Sequence, residues 1–387
     1  APEELVHVVI RSEPISCWHL EEEEHQKSME RHDSLSDCEE SDDEWFFDSV
    51  RRYEDLLIYD VHGFICSAAF CDDSRLLLAV SREQHHEVWE LGFPDKLVTK
   101  KDAGLVKNRD FSLLAAGYTE SMTKKMVYVA SGVVTSGADG VHFYSIPQSK
   151  SESDVISLTR ALRKDVKDAS LASSGISVYV GESLSLINSF DLNSSKVSEV
   201  LKIPNDTANN SVVDCKDAIS NMSYVCEKLF IGLRDRGNVL LYEPRLGKVA
   251  QDIATSNILE KNWTMDVSRG GDFVAIANSY GTLNVYDIRN CSKAIFADTV
   301  KVEENKLEIH EVCISPNSSF VSVCGRDTNV RVFNFNRAEV NNGNVFTHDG
   351  HRGHNVESIV THLWHPSKDK LVLSADNTGK LEAWRFR

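Results

Sequence analysis

Short apolar runs, each closing on an aromatic side chain, recur along almost the whole chain. They end at Trp89-Glu90, Tyr144-Ser145, Phe190-Asp191, Tyr242-Glu243, Tyr286-Asp287, Phe333-Asn334 and Trp384-Arg385. Successive closures lie 55, 46, 52, 44, 47 and 51 residues apart. The runs are short, rich in β-branched residues and bounded by Gly, Asn, Asp and Ser, which reads as strands. A unit of roughly 40–50 residues made of short strands is the repeat of a β-propeller blade. The pattern therefore predicts an all-β, seven-bladed propeller.

Blades are expected near 64–105, 109–150, 161–205, 212–256, 262–300, 308–346 and 356–387. Turn residues that tolerate positive φ separate second from third strands at Asp139-Gly140, Asp235-Arg-Gly237, Ser279-Tyr-Gly281, Asp327-Thr-Asn329 and Asp376-Asn-Thr-Gly379. Blades six and seven match the WD40 repeat best. In that repeat, an Asp of this turn bonds a His of the preceding loop, and Ser/Thr and Trp extend the network. Asp327, Asp139 and Asp376 are the candidates for the Asp, His351 or His354 for the Gly-His, and Trp384 for the aromatic. The chain ends too soon after Trp384 for a fourth strand in blade seven, so Leu56–Tyr59 is expected to close the ring. Before it, Ser41-Asp-Asp-Glu44 reads as a capping box, and Phe46, Val50, Tyr53 and Leu57 follow at helical spacing. A short N-terminal helix is expected there.

Charge divides the chain in two. Residues 1–44 hold 15 acidic and 3 basic side chains, a net of −12 out of −17 overall. Residues 1–43 are read as an acidic, disordered tail and 44–387 as the propeller. An acidic tail disfavours phosphate contacts, so no direct nucleic-acid binding is expected. No apolar run is long enough for a membrane helix. The nine cysteines lack C-x-x-C spacing, and Cys66, Cys71, Cys226, Cys313 and Cys324 fall in or beside expected strands. Reduced, core-forming thiols fit this usage and point to a cytosolic or nuclear setting.

The densest histidine region, His348, His351 and His354, has a spacing that could hold a transition metal. Gly350-His351 and Gly353-His354 are explained equally by the Gly-His of a WD repeat, so no metal, cofactor or catalytic residue is assigned. Tyr242-Glu-Pro-Arg245 and Tyr286-Asp-Ile-Arg289 resemble the W-D-x-R box of cullin-RING substrate receptors, which marks Arg245 and Arg289 as candidate protein-binding residues. The loops 92–108 and 301–306 are further candidate contact surfaces.

The segment Asp43-Glu-Trp45 through Tyr59-Asp60 resembles the amino-terminal part of the WD repeat-containing protein 73 family. So do Phe346-Thr-His348, Gly353-His354, Val360-Thr-His362-Leu-Trp364-His365-Pro366 and Leu373-Ser-Ala375. The resemblance covers about residues 43–387. It implies a non-enzymatic, mainly cytoplasmic, monomeric scaffold that assists assembly of the RNA endonuclease module of the integrator complex. It further implies association with microtubule or spindle-pole proteins, and a presence at the spindle pole and in the nucleus. The alternative is a substrate receptor of a cullin-RING ubiquitin ligase.

Overall fold

A computed structural model describes residues 50–95, 97, 110–130, 132–147, 154–194, 197–201, 217–254, 260–302, 305–336, 343–353 and 355–387. The acidic tail, the capping box and His354 lie outside the described residues. A single 3₁₀ turn, Val50–Arg52, leads into β1 (Tyr53–Asp60). Tyr53 and Leu57 are thus strand residues, which corrects the helical reading of that segment. A β-bulge between Tyr53 and Asp55 sets them on opposite faces, Tyr53 with Leu56 toward blade six and Leu57 toward blade one, and all three are buried.

Blade one comprises β2 (Phe64–Asp72), β3 (Arg75–Ser81), β4 (His86–Gly92) and β5 (Ser112–Thr119). Blade two follows with β6 (Thr123–Val129), β7 (Gly132–Gly137), β8 (Gly140–Ser145) and β9 (Ser157–Arg163). In blade three, β10 (Ser170–Ser173) and β11 (Ser177–Gly181) precede β12 (Ile187–Asp191) and β13 (Val197–Leu201). Blade four is β14 (Ile219–Val225), β15 (Lys228–Leu233), β16 (Val239–Glu243) and β17 (Lys248–Ile253). Blade five is β18 (Trp263–Val267), β19 (Phe273–Asn278), β20 (Thr282–Asp287) and β21 (Phe296–Thr299). A two-stranded hairpin of β22 (Lys301–Val302) and β23 (Asn305–Lys306) leads to blade six. That blade holds β24 (Ile309–Ile314), β25 (Phe320–Gly325), β26 (Val330–Asn334) and β27 (Asn344–His348). Blade seven is β28 (Ile359–Trp364), β29 (Leu371–Asp376) and β30 (Lys380–Phe386), completed by β1.

Each blade is an antiparallel meander, and all seven aromatic closures fall on third strands. Closure is as expected: β1 runs antiparallel to β30, with Leu57 opposite Ala383 and Tyr59 opposite Leu381. Two blade boundaries differ from the sequence reading. Residues 112–119 are the outer strand of blade one, not the start of blade two, and residues 157–163 close blade two instead of opening blade three. Outer strands carry little apolar signal. Most side chains of β5 and β9 are exposed or half-buried.

The core is divided among the seams between blades. Leu371, Leu373, Leu381 and Ala383 of blade seven pack on Leu57, Ile65, Leu76 and Leu78. Equivalent apolar clusters join each remaining neighbouring pair of blades. Second strands are therefore buried on both faces; every residue of β7 and of β29 is buried. Burying one such Leu or Val contributes about 1.5–3 kcal/mol. Because each blade is covered only by its neighbours, the ring must close for all seams to be filled.

Candidate functional site

The d-to-a loops, between outer and next inner strands, and the turns between second and third strands meet on one face of the ring. There, a depression of about 600 Å³ opens at the channel mouth, lined among others by Lys125, Asn221, Arg234, Trp263, His310, Arg326 and Val360. It draws residues from blades two, four, five, six and seven, so it exists only in the closed ring. Arg326 Nε sits 3.4 Å from Glu308, and both side chains are largely exposed.

Beneath this face, blade seven carries a buried polar chain. Trp384 Nε1–H donates to Ser374 Oγ at 3.0 Å. Ser374 Oγ is 2.7 Å from His351 Nε2, and His351 Nδ1 is 2.9 Å from Asp376 Oδ2. Asp376 Oδ1 accepts the Thr378 amide and hydroxyl. Burial works to raise the Asp376 carboxyl, but these bonds overcome it and hold the group below its ordinary value. The order Ser–His–Asp looks like a nucleophilic triad. It is sealed, however: Ser374, His351 and Asp376 are at most 1% exposed, and the Trp384 N–H occupies the serine oxygen. A substrate cannot reach it, so the chain fixes the loop before blade seven.

Behind it, His348 Nδ1 meets the Tyr53 hydroxyl at 2.9 Å, and its Nε2 lies 3.1 Å from Glu382 Oε2. Burial depresses His348, whereas Glu382 resists the upward push of burial because His351 and His348 stand beside it. The β1–β30 zipper is thereby tied to blade six by a polar contact as well as by apolar packing.

A second buried chain links blades six and seven near the channel. Trp364 Nε1–H donates to Ser322 Oγ at 2.8 Å, Ser322 Oγ is 2.8 Å from His362 Nε2, and His362 Nδ1 is 3.1 Å from Glu311 Oε2. The serine comes from β25 and the indole from β28, so this chain crosses between blades. Its members were not assembled from the sequence, since neither their spacing nor a local motif relates the three strands.

Of the candidates read from sequence, His351, Asp376 and Trp384 are brought together through Ser374. Asp327 meets Arg331 NH2 at 2.7 Å instead of a histidine. The residues leading into β24 contain none, and Arg331 takes the place. Asp139 sits in the β7–β8 turn, where its amide donates to Ser121 Oγ at 3.4 Å; the loop before β6 likewise has no His. Arg245 and Arg289 stand in the turns after β16 and β20, on the opposite face of adjacent blades. Arg245 pairs with Glu227 and Arg289 with Asp287, each at 2.7 Å, and the arginine side chains remain 77% and 72% exposed. Loop residues 98–108, 303 and 304 lie outside the described residues, while Lys301–Val302 and Asn305–Lys306 pair as β22 and β23. The six described cysteines, including Cys66 and Cys324, are free thiols.

These features define a class first: a closed, seven-bladed WD-repeat propeller whose polar networks brace its loops. The profile of the WD domain, G-beta repeat, matches residues 300–334, the first three strands of blade six. The resemblance to the WD repeat-containing protein 73 family is borne out along nearly the full chain. The chain is 24% identical over 371 residues to the integrator complex assembly factor WDR73 of Danio rerio, covering 89% of this chain and 96% of that protein. It is 23% identical to the proteins of the same name from Homo sapiens, over 376 residues, and Mus musculus, over 370. Each comparison covers 88% of this chain and 97% of the relative.

Proposed function

We propose that this chain is a non-enzymatic propeller scaffold acting as an assembly factor for the integrator complex, with the complex's RNA endonuclease module as its client. The observation that carries the reading is similarity spread over 96–97% of proteins named for that role, on a closed ring whose loop face is braced from below. A stable client interface needs roughly 1,200–2,000 Å² in total, which one face of a propeller supplies. The catalytic-looking Ser374 is sealed inside blade seven, which supports holding in place of turnover. The work would take place in the cytoplasm, before the assembled module is imported into the nucleus.

Affinity purification from cytoplasmic extract, followed by mass spectrometry, tests this reading. Recovery of integrator endonuclease subunits with the wild-type chain is expected, and their absence would remove it. Arg245→Ala with Arg289→Ala separates the ligase-receptor alternative. Each arginine is an exposed ion pair of small energetic value, so folding should hold and client recovery should persist. Recovery of a cullin linker that these substitutions abolish would favour the alternative.

A further inference from the structure

The chain that crosses between blades six and seven also sets three metal-ligating atoms against one another. Glu311 on β24, Cys324 on β25 and His362 on β28 each offer one donor atom, and the three lie within 4.8 Å of each other. Glu311 Oε2 is 3.1 Å from His362 Nδ1 and 3.8 Å from Cys324 Sγ. Tetrahedral zinc, with bonds of about 2.0–2.1 Å to nitrogen or oxygen and about 2.3 Å to sulfur, spaces its ligand atoms about 3.3–3.6 Å apart. The two separations from Glu311 bracket that range, and Cys324 and His362 lie within 4.8 Å of each other.

The surroundings orient the donors as an outer shell does. Ser322 Oγ lies within 3.3 Å of the Cys313 carbonyl, to which it donates, and it accepts the Trp364 N–H. His362 Nε2 is 2.8 Å from the same hydroxyl oxygen, and in the tautomer that donates Nε2–H to it the Nδ1 lone pair faces Glu311. A lone pair 3.1 Å from a carboxylate is repulsive unless a proton or a cation stands between them. The carboxylate itself is fixed by the His362 amide at 2.7 Å and the Thr361 hydroxyl at 3.2 Å.

Access comes from the channel. Glu311 keeps 27% side-chain exposure. Its neighbour His310 lines the mouth and places Nε2 3.5 Å from Cys324 Sγ. The other histidine cluster, His348, His351 and Glu382, also brings its donor atoms within 4.8 Å. It is a poorer site, because all three side chains are at most 1% exposed and offer a metal no way in.

We propose that Glu311, Cys324 and His362 form a binding site for one divalent transition-metal ion of zinc's class, its fourth position facing His310 and the channel, which clamps blade six to blade seven. A thiolate, an imidazole and a carboxylate together suit zinc and disfavour calcium or magnesium, which take oxygen ligands.

Cobalt serves as the probe. The full chain, purified without chelator or polyhistidine tag, is loaded with Co²⁺ and read by absorbance and metal analysis. One equivalent of metal and a thiolate-to-cobalt charge-transfer band are expected. Cys324→Ser should remove the band, whereas Cys313→Ser, on the neighbouring strand, should keep it. Ser322→Ala should weaken binding about 10–100-fold, as loss of an outer-shell partner does. A wild-type chain that takes up no stoichiometric Co²⁺ or Zn²⁺, or a band that survives Cys324→Ser, overturns the proposal. Should Cys324→Ser fail to fold, the wild-type chain still decides: chelator must both erase the band and lower the melting temperature, and an unchanged melting temperature refutes the clamp.

Discussion

Acidification should loosen the seam between blades seven and one through His365. Its Nε2–H donates to the Asp73 carbonyl at 3.0 Å, while Nδ1 accepts the amides of Ser367 at 3.2 Å and Lys368 at 3.0 Å. The ring packs between Phe70 and Phe93, with centroids 5.1 and 4.9 Å away. A nitrogen facing two N–H donors has no room for a proton of its own. Burial first, and the Lys368 ammonium second, push the imidazole from 6.5 down to about 4. Between those values the unfolded chain binds more protons than the folded one. The contribution is therefore full above the unfolded value and is lost progressively as pH falls toward about 4. At about 1.36 kcal/mol per unit, the part lost between about pH 7 and about pH 5 is roughly 2 kcal/mol. His142, His310 and His348 are also depressed, and Asp266, raised to about 6 by burial, works in the opposite sense. A difference measurement isolates His365. His365→Asn keeps an acceptor for the two amides but cannot titrate in this range. Urea unfolding followed by tryptophan fluorescence at both pH values, at fixed ionic strength, should show wild type losing about 2 kcal/mol more than the variant. Parallel losses would refute the reasoning.

Other outcomes follow from single contacts. Ser374→Ala abandons the buried Trp384 N–H and His351 Nε2, at about 1–3 kcal/mol for each; thermal melting should fall markedly, while Ser145→Ala at an exposed pair should stay within about 0.5 kcal/mol of wild type. Gly379 has φ +95°, and a Cβ there would stand 2.2 Å from the Gly63 carbonyl oxygen. Gly175 has φ +94° with nothing within 4 Å. Gly175→Ala should then show backbone strain alone, about 1 kcal/mol, and Gly379→Ala a clearly larger loss of melting temperature.

The seven blades were legible because third strands are buried on both faces and end on aromatic residues. Trp384 and Tyr144, both at most 1% exposed, are examples. The closing strand was legible from the apolar run at Leu56–Tyr59, and β1 takes the fourth place beside β30. Outer strands were not. Leu113, Tyr118 and Leu158 lie exposed on β5 and β9, so no apolar alternation marked them, and the boundaries of blades two and three were misplaced. Tyr53 and Leu57 misled because their partners, Phe346 and the seam around Leu381, are nearly three hundred residues away or more. The repeat spacing offered His351 or His354 and three aspartates, of which the structure joins His351 to Asp376, while Asp327 meets Arg331. No such spacing marked the Glu311–Cys324–His362 group, because it is gathered from three strands of two blades.

The account rests on β1 sealing the ring, and hydrogen exchange of the full chain tests that most directly. The alternate amides of Leu56–Tyr59 that bond β30 should exchange as slowly as those of Leu381–Trp384, their partners in the zipper, and a chain starting after Asp60 should lose protection across β28–β30. Fast exchange of every amide of Leu56–Tyr59 beside a protected β30, or a truncated chain with blade seven unchanged, would contradict it.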